Sequence, residues 1–272
     1  MTETALAGAS SYIGAPPLEG RVALVTGGSR GVGAQVAREL ASAGAKVALT
    51  YFRSPDAARQ VVREIEAGGG QAISVHASAA ESGSWERAAT SVGEAYGDVD
   101  LLVSNAGVAS RGRSICETDP AEFSALLDVH ALGPLALIRA LLPGMRAKSR
   151  SDVVMVSSSI VDACPPNSAP YTMAKAAMEA ACKVLAREER AHNLRANIIA
   201  PGLIDTDMGA KLVAASTGGS SMAATELDAP FGRVCKPSDI ARLVVYLTSD
   251  AGAYITGQRI VLDGGGATPS II

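Results

Sequence analysis

The chain has 272 residues, of which 48% are hydrophobic and 19% charged, with 28 glycines. That is enough apolar material for a large core, and it is far from the composition of a disordered chain. A formal net charge of -3 leaves no basic footprint and excludes nucleic acid as the main partner.

Residues 1–17 lack both a basic start and a continuous apolar stretch, so they read as a flexible N-terminal arm and not as a signal peptide or anchor. Seven short apolar runs follow: RVALVT from Arg21, KVALT from Lys46, QAISV from Gln71, DLLVSN from Asp100, DVVMVS from Asp152, RANIIA from Arg195 and QRIVLD from Gln258. They do not alternate with polar residues, as expected of strands buried on both faces of a parallel sheet. Helical spacing fills the gaps at 32–43, 55–67, 84–96, 120–147 and 170–191. The alternation predicts right-handed βαβ units and an α/β fold. Its expected form is a single domain over 18–272, with a Rossmann-type doubly wound parallel sheet of about seven strands flanked by helices. One long stretch, 202–232, carries few charges and reads as a substrate loop or lid. No segment offers the roughly 20 apolar residues of a membrane span. Cys116, Cys164, Cys182 and Cys235 lie far apart, with no C-x-x-C pair and no histidines beside them. This spacing predicts reduced thiols, a cytoplasmic location and no metal site.

The first strand runs into TGGSRGVG, which sets Gly27, Ser29, Arg30, Gly31, Val32 and Gly33 at the turn into a helix. Glycines there let the main chain approach a pyrophosphate, and the helix start offers unpaired N–H groups. An NAD site needs an acid at the end of the second strand to hold the ribose 2′-hydroxyl, but Thr50, Tyr51, Phe52 and Arg53 stand there instead. Arg30 and Arg53 supply guanidinium groups suited to a 2′-phosphate, which predicts NADP(H) over NAD(H).

Further along, the fifth strand ends in MVSSS. Ser158 is at its carboxyl end, where open α/β sheets bind ligands, and Tyr171 and Lys175 follow one helical turn apart in APYTMAK. Strand alternation turns Ser157 and Ser159 away from the direction of Ser158 and favours the middle serine. Taken with the glycine loop, SNAG at 104–107 and PGLIDTDM from Pro201, this order of motifs resembles the short-chain dehydrogenase/reductase family from about Leu18 to Gly266. It is similar in particular to the single-domain, 3-oxoacyl-carrier-protein reductase-like members.

The resemblance implies a ketoreductase. Tyr171 would give a proton to a substrate carbonyl oxygen while NADPH delivers hydride to its carbon, and Ser158 would hold the developing oxyanion. Bringing a phenol from about 10 toward 7 takes about 4 kcal/mol, for which Lys175 supplies positive charge. The resemblance also implies that Lys175 and Tyr171 meet the nicotinamide ribose and that Asn105, Ala106 and Gly107 line the cofactor. Pro201, Gly202, Ile204 and Thr206 would hold the nicotinamide end, although Thr206 is equally placed to cap the following turn.

The sequence departs from the family pattern in three places. Ala77 and Ser78 replace an aspartate that meets adenine, and Ser104 replaces the first asparagine of the fourth-strand motif. His130 aligns with the family's catalytic asparagine, either keeping a main-chain role with some part in proton transfer or marking an altered enzyme. Gly133 and Pro134 bend that helix whichever side chain is present. A mostly apolar wall, drawn from 108–113, 160–167 and the 202–232 loop, suits a carbonyl on a hydrophobic body such as a β-ketoacyl or polyketide-type compound. Rival readings are an alcohol dehydrogenase running oxidatively and a non-catalytic dinucleotide sensor. The resemblance further implies a homotetramer or homodimer, and the basic residues Arg146, Lys148 and Arg150 raise an acyl carrier protein as a further partner.

Overall fold

A computed structural model describes residues 16–79, 81, 83–216, 222, 225 and 229–266. Apart from Pro16 and Pro17 the expected N-terminal arm lies outside the described residues, as does much of 217–228.

Seven strands form one parallel sheet in the order β3-β2-β1-β4-β5-β6-β7. They are β1 (Val22–Val25), β2 (Lys46–Tyr51), β3 (Gln71–His76), β4 (Leu101–Ser104), β5 (Ser151–Val156), β6 (Leu194–Pro201) and β7 (Arg259–Leu262). The helices between them are α1 (Gly31–Ser42), α2 (Pro55–Ala67), α3 (Ser84–Tyr96), α4 (Pro120–Leu127), α5 (Gly133–Arg146), α6 (Ile160–Ala163), α7 (Ala169–Glu188), α8 (Asp207–Ser216) and α9 (Pro237–Thr248). The strand order reverses between β1 and β4, where Val25 pairs with Val103, and this opens a crevice at the carboxyl ends.

Each face of the sheet carries its own apolar layer. Val36, Leu40, Val61, Ile65, Ile240 and Val244 from α1, α2 and α9 cover one side. Trp85, Val92, Leu137, Leu141, Met145, Met178 and Leu185 from α3, α5 and α7 cover the other. Burying each of the larger side chains contributes about 1.5–3 kcal/mol, and this two-sided coverage is why the strands read as continuous apolar runs.

The amino edge of the sheet is tied by charge. Arg21 bonds Asp100 at 2.6 Å and Asp152 at 2.9 Å, and Arg195 meets the other Asp152 oxygen at 2.6 Å. The basic residues 146–150 belong to this edge, opposite the crevice. Arg146 pairs with Glu189 at 2.5 Å, Lys148 with Asp98 at 3.9 Å, and Arg150 with Asp152 at 3.4 Å and Asp250 at 2.5 Å. Each of these charges thus meets an acid within the chain.

The segment read as one helix over 120–147 is broken by a π-turn at Asp128–Leu132, where the Gly133 N–H donates to the Asp128 carbonyl five residues back. Pro134 has no N–H, so the His130 carbonyl lacks an α-helical donor. Contrary to the expectation of no span-like segment, Pro120–Arg146 has a window of mean hydropathy 1.6, long and apolar enough to cross a membrane. Its apolar residues Leu137, Ile138, Leu141 and Met145 are buried in the core, which accounts for the composition. The irregular loop expected from 202 instead contains α8, a helix of 10 residues.

Candidate active site

The glycine loop is built by close approach. A Cβ on Gly33 would lie 2.4 Å from the Gly27 carbonyl oxygen and 2.6 Å from Asn105 Nδ2, and Gly27 itself has φ +67 with Ala106 Cα 2.9 Å from its missing Cβ. Two threonines lock this loop, one to the β4 motif and one to β2. Thr26 Oγ1 accepts from the main-chain N–H groups of Asn105 and Ala106 at 2.9 and 3.0 Å, and Thr50 Oγ1 accepts from Gly27 at 3.1 Å. Asn105 Nδ2 donates back to the Thr26 carbonyl at 3.0 Å. The loop thus presents main chain at the start of α1 with Val32 buried, Ser29 half-buried and Arg30 exposed, a cradle that fits a dinucleotide pyrophosphate.

At the end of β2 no carboxylate is present. Arg53 is exposed, with its guanidinium 5.0 Å from the Phe52 ring centroid, and among the described residues neither Arg30 nor Arg53 pairs with an acid. Tyr51 meets His76 edge to face at 5.7 Å, and its carbonyl accepts from the Ala77 N–H at 2.9 Å. Ala77 and Ser78 are buried, and the Ser78 N–H is taken by Ser84 Oγ at 2.8 Å. The main-chain N–H groups of both positions are therefore already engaged within the chain.

Across the crevice, α7 is fastened to the end of β5 by side chains. Lys175 is 4% exposed and its Nζ donates to the Val156 carbonyl at 2.7 Å, while lying 5.7 Å from the Tyr171 ring centroid. Ser157 is buried and donates to Glu179 Oε1 at 2.5 Å, so it is committed to structure. Ser158 is half-buried, and among the described residues its hydroxyl has only a long 3.3 Å contact from the Ile160 N–H. This is the difference between neighbours that strand alternation anticipates.

Burial pushes the Tyr171 phenol up to about 12 and brings the Lys175 ammonium down to about 8, with Glu179 acting against the second shift. Desolvation thus acts on the phenol in the direction opposite to the lowering that the sequence reading assigns to Lys175.

His130 sits edge-on to Tyr171, with ring centroids 5.1 Å apart and planes at 85°. It is 1% exposed, and its Nε2 lies 2.9 Å from the Val108 carbonyl, to which it donates as the Nε2–H tautomer. Burial first, and the nearby Lys175 charge second, hold its pKa down at about 3. A ring that is neutral at pH 7 carries no imidazolium proton to give, and its contacts here, to the Tyr171 ring and the Val108 carbonyl, are those of packing. Gly107 is glycine because of it: a Cβ there would stand 2.6 Å from His130 Cε1.

The segment from Pro201 closes the crevice. Pro201 pairs with Leu262, the Gly202 N–H donates to the Leu262 carbonyl at 2.9 Å, and Ile204 bridges to Cys235. Thr206 Oγ1 accepts from the Gly209 N–H at 3.1 Å and so caps α8, while its Cγ2 lies 3.5 Å from where a Gly31 Cβ would be. The capping alternative is realised, and the same residue brings α8 against the glycine loop. Of the expected apolar wall, Val108, Met208 and Leu212 are exposed toward solvent, Cys164 turns with φ +43, and Met222 Cε comes within 3.2 Å of the Gly209 Cβ position. Val213 is buried at 3% and belongs to packing. Sequence reasoning missed Thr26, Glu179 and Arg259, because their partners lie up to 101 residues away.

Residues 27–267 match the family model described as enoyl-(acyl carrier protein) reductase. The chain is 33% identical to the 3-oxoacyl-[acyl-carrier-protein] reductase of Vibrio cholerae, over 91% of this chain and 98% of that protein. It is also 33% identical to versicolorin reductase of Emericella nidulans, over 91% and 96%. A short-chain dehydrogenase from Burkholderia cenocepacia, solved in complex with NADP, superposes with a TM-score of 0.83 at 33% identity, covering 92% of this chain and 98% of that one. With its motifs in this order on a seven-stranded Rossmann-type sheet, the chain belongs to the short-chain dehydrogenase/reductase family of oxidoreductases.

Proposed function

We propose that the protein is an NADP(H)-dependent ketoreductase that converts a ketone on a mainly apolar body to a secondary alcohol. The observation that carries this reading is the fastening of Lys175 to the Val156 carbonyl beside Tyr171, at the carboxyl edge of the sheet. NADPH supplies the hydride when bound. Arg30 and Arg53 receive its 2′-phosphate, the main chain at 27–33 its pyrophosphate, and Asn105 to Gly107 with Pro201 to Thr206 its nicotinamide half. Ser158 points its hydroxyl at the substrate oxygen and stabilises charge there, Tyr171 donates the proton, and Lys175 lowers the phenol by its charge. His130 braces the Tyr171 ring and the Gly107–Val108 main chain.

β-Ketoacyl or polyketide-type ketones are the substrate class, in keeping with the reductases named above and with the apolar side chains Val108, Met208 and Leu212. Leu132 and Leu135 on the π-turn and α5, and Met173 and Val184 on α7, leave apolar surface that supports a homo-oligomer. Four free cysteines accord with a cytoplasmic location.

The test is loss of NADPH absorbance with acetoacetyl-coenzyme A, cyclic ketones and quinones, with Tyr171→Phe beside the parent. Turnover abolished in the variant is expected. Turnover retained refutes the proton-donor assignment, and NADPH binding without turnover of any compound favours a sensor.

A further inference from the structure

The reacting serine and lysine share a neighbour from the far end of the chain. Arg259, in β7, is 14% exposed, and its guanidinium reaches three different elements. Its Nε donates to Glu179 Oε1 at 2.8 Å on α7, its Nη1 to Asp162 Oδ2 at 2.7 Å on α6, and its Nη2 to the main-chain carbonyl of Ser158 at 3.2 Å. Glu179 lies one helical turn beyond Lys175, is 4% exposed, and takes the Ser157 hydroxyl on the same oxygen that meets Arg259.

A planar guanidinium has its donors in a fixed fork, so three simultaneous acceptors determine both where the group lies and how it is turned. Here the acceptors are the peptide of Ser158, the short helix just after it, and the helix that carries Tyr171 and Lys175. The buried Glu179 carboxylate in turn needs a cation, because an unpaired buried charge is strongly disfavoured. Arg259 is the cation that meets it.

We propose that Arg259 is a positioning residue, whose three-way grip holds the serine turn and the lysine helix in mutual register and whose pairing with Glu179 sets the charge around Lys175. The proposal rests on the reading of Ser158, Tyr171 and Lys175 as the reacting groups. The titratable groups facing the Lys175 ammonium are Tyr171 and Glu179 from its own helix and His130 from the π-turn, with Arg259 behind Glu179; β5 contributes the Val156 carbonyl. Charge added or removed at the Glu179–Arg259 pair is therefore felt by the Tyr171–Lys175 couple, whichever of the two gives up a proton.

Arg259→Lys, which keeps one charge but loses the fork, is expected to lower kcat about tenfold while the NADPH dissociation constant stays within about twofold. Glu179→Gln keeps the size of the side chain and leaves Arg259 as excess positive charge, so the alkaline limb of kcat should move down by about one pH unit. Arg259→Met removes positive charge and should move the limb up. Should Arg259→Met fold poorly, the double variant Glu179→Gln/Arg259→Met removes the buried charge pair and should return the limb to the parent position. The assay is acetoacetyl-coenzyme A reduction against pH, with NADPH fluorescence for binding and melting temperature for folding. Lowered melting temperature with parental kcat and parental limbs would make the arginine purely structural and overturn the proposal. Tyr171→Phe, run in parallel, separates the two levels: retained turnover there removes the underlying reading, and the proposal with it.

Discussion

Gly107→Ala tests the site through one contact. The added methyl would lie 2.6 Å from His130 Cε1 and 3.2 Å from Nδ1, against an ordinary carbon contact of about 3.5–4.0 Å, so the imidazole must withdraw by about 1 Å. It has little room to do so, because it is 1% exposed, held to the Val108 carbonyl at 2.9 Å, and edge-on to Tyr171 at 5.1 Å. The φ of Gly107 is outside the left-handed region, so the penalty is steric and not conformational. Overpacking of this kind costs about 1–3 kcal/mol, which for a chain of this length is a fall of roughly 2–10 °C in melting temperature. A displacement passed on to the Tyr171 ring should lower kcat by about ten- to a hundredfold. Gly107→Ala/His130→Asn, which trims the ring, should recover most of the lost melting temperature. Thermal melts and NADPH-coupled turnover on the parent and both variants decide the matter. A single variant that melts within about 1 °C of the parent and turns over normally would refute the wedge.

Two further outcomes follow from the charges. His130 is held at about 3 by burial and by Lys175, whereas in the unfolded chain it takes a proton below about 6.5. Between those values the unfolded state binds more protons, so stability falls as pH drops, by up to about 1.4 kcal/mol per unit; above 6.5 the group has no effect. His130→Asn should therefore flatten the acid-side decline of melting temperature, and parallel slopes in parent and variant would contradict the assignment. Arg30→Ala and Arg53→Ala should each weaken NADPH binding about tenfold and leave NADH binding unchanged, as read by titration of cofactor fluorescence. NADH bound by the parent as tightly as NADPH would overturn the phosphate role.

Much of this architecture is legible in the chain because it is local. Apolar runs such as VALV at β1 and DVVMV within β5 mark strands covered on both sides, and the glycine loop is readable because close main-chain approach excludes any side chain. What escapes is pairing at a distance. Nothing near Arg259 in the sequence shows that it meets Glu179, 80 residues earlier, or that Thr26 receives the N–H groups of the β4 motif. Helical spacing over 202–232 is masked by glycine and serine, so α8 reads as loop. The pairing of the basic run at 146–150 escapes for the same reason, since its acids Asp98, Glu189 and Asp250 come from other elements.

The π-turn at Asp128–Leu132 makes one helix serve two clients in different phase. An α-helix advances about 100° per residue, so a single extra residue in the turn rotates all that follows by that amount relative to all that precedes it. Within the turn the helix aims His130 at Tyr171, and beyond it Leu137, Leu141 and Met145 are aimed into the core. A straight helix of the same composition could satisfy one orientation or the other. The length of this segment is thus constrained more tightly than most of its side chains, and losing one residue from it would cost either the brace on the tyrosine or the packing of half the sheet.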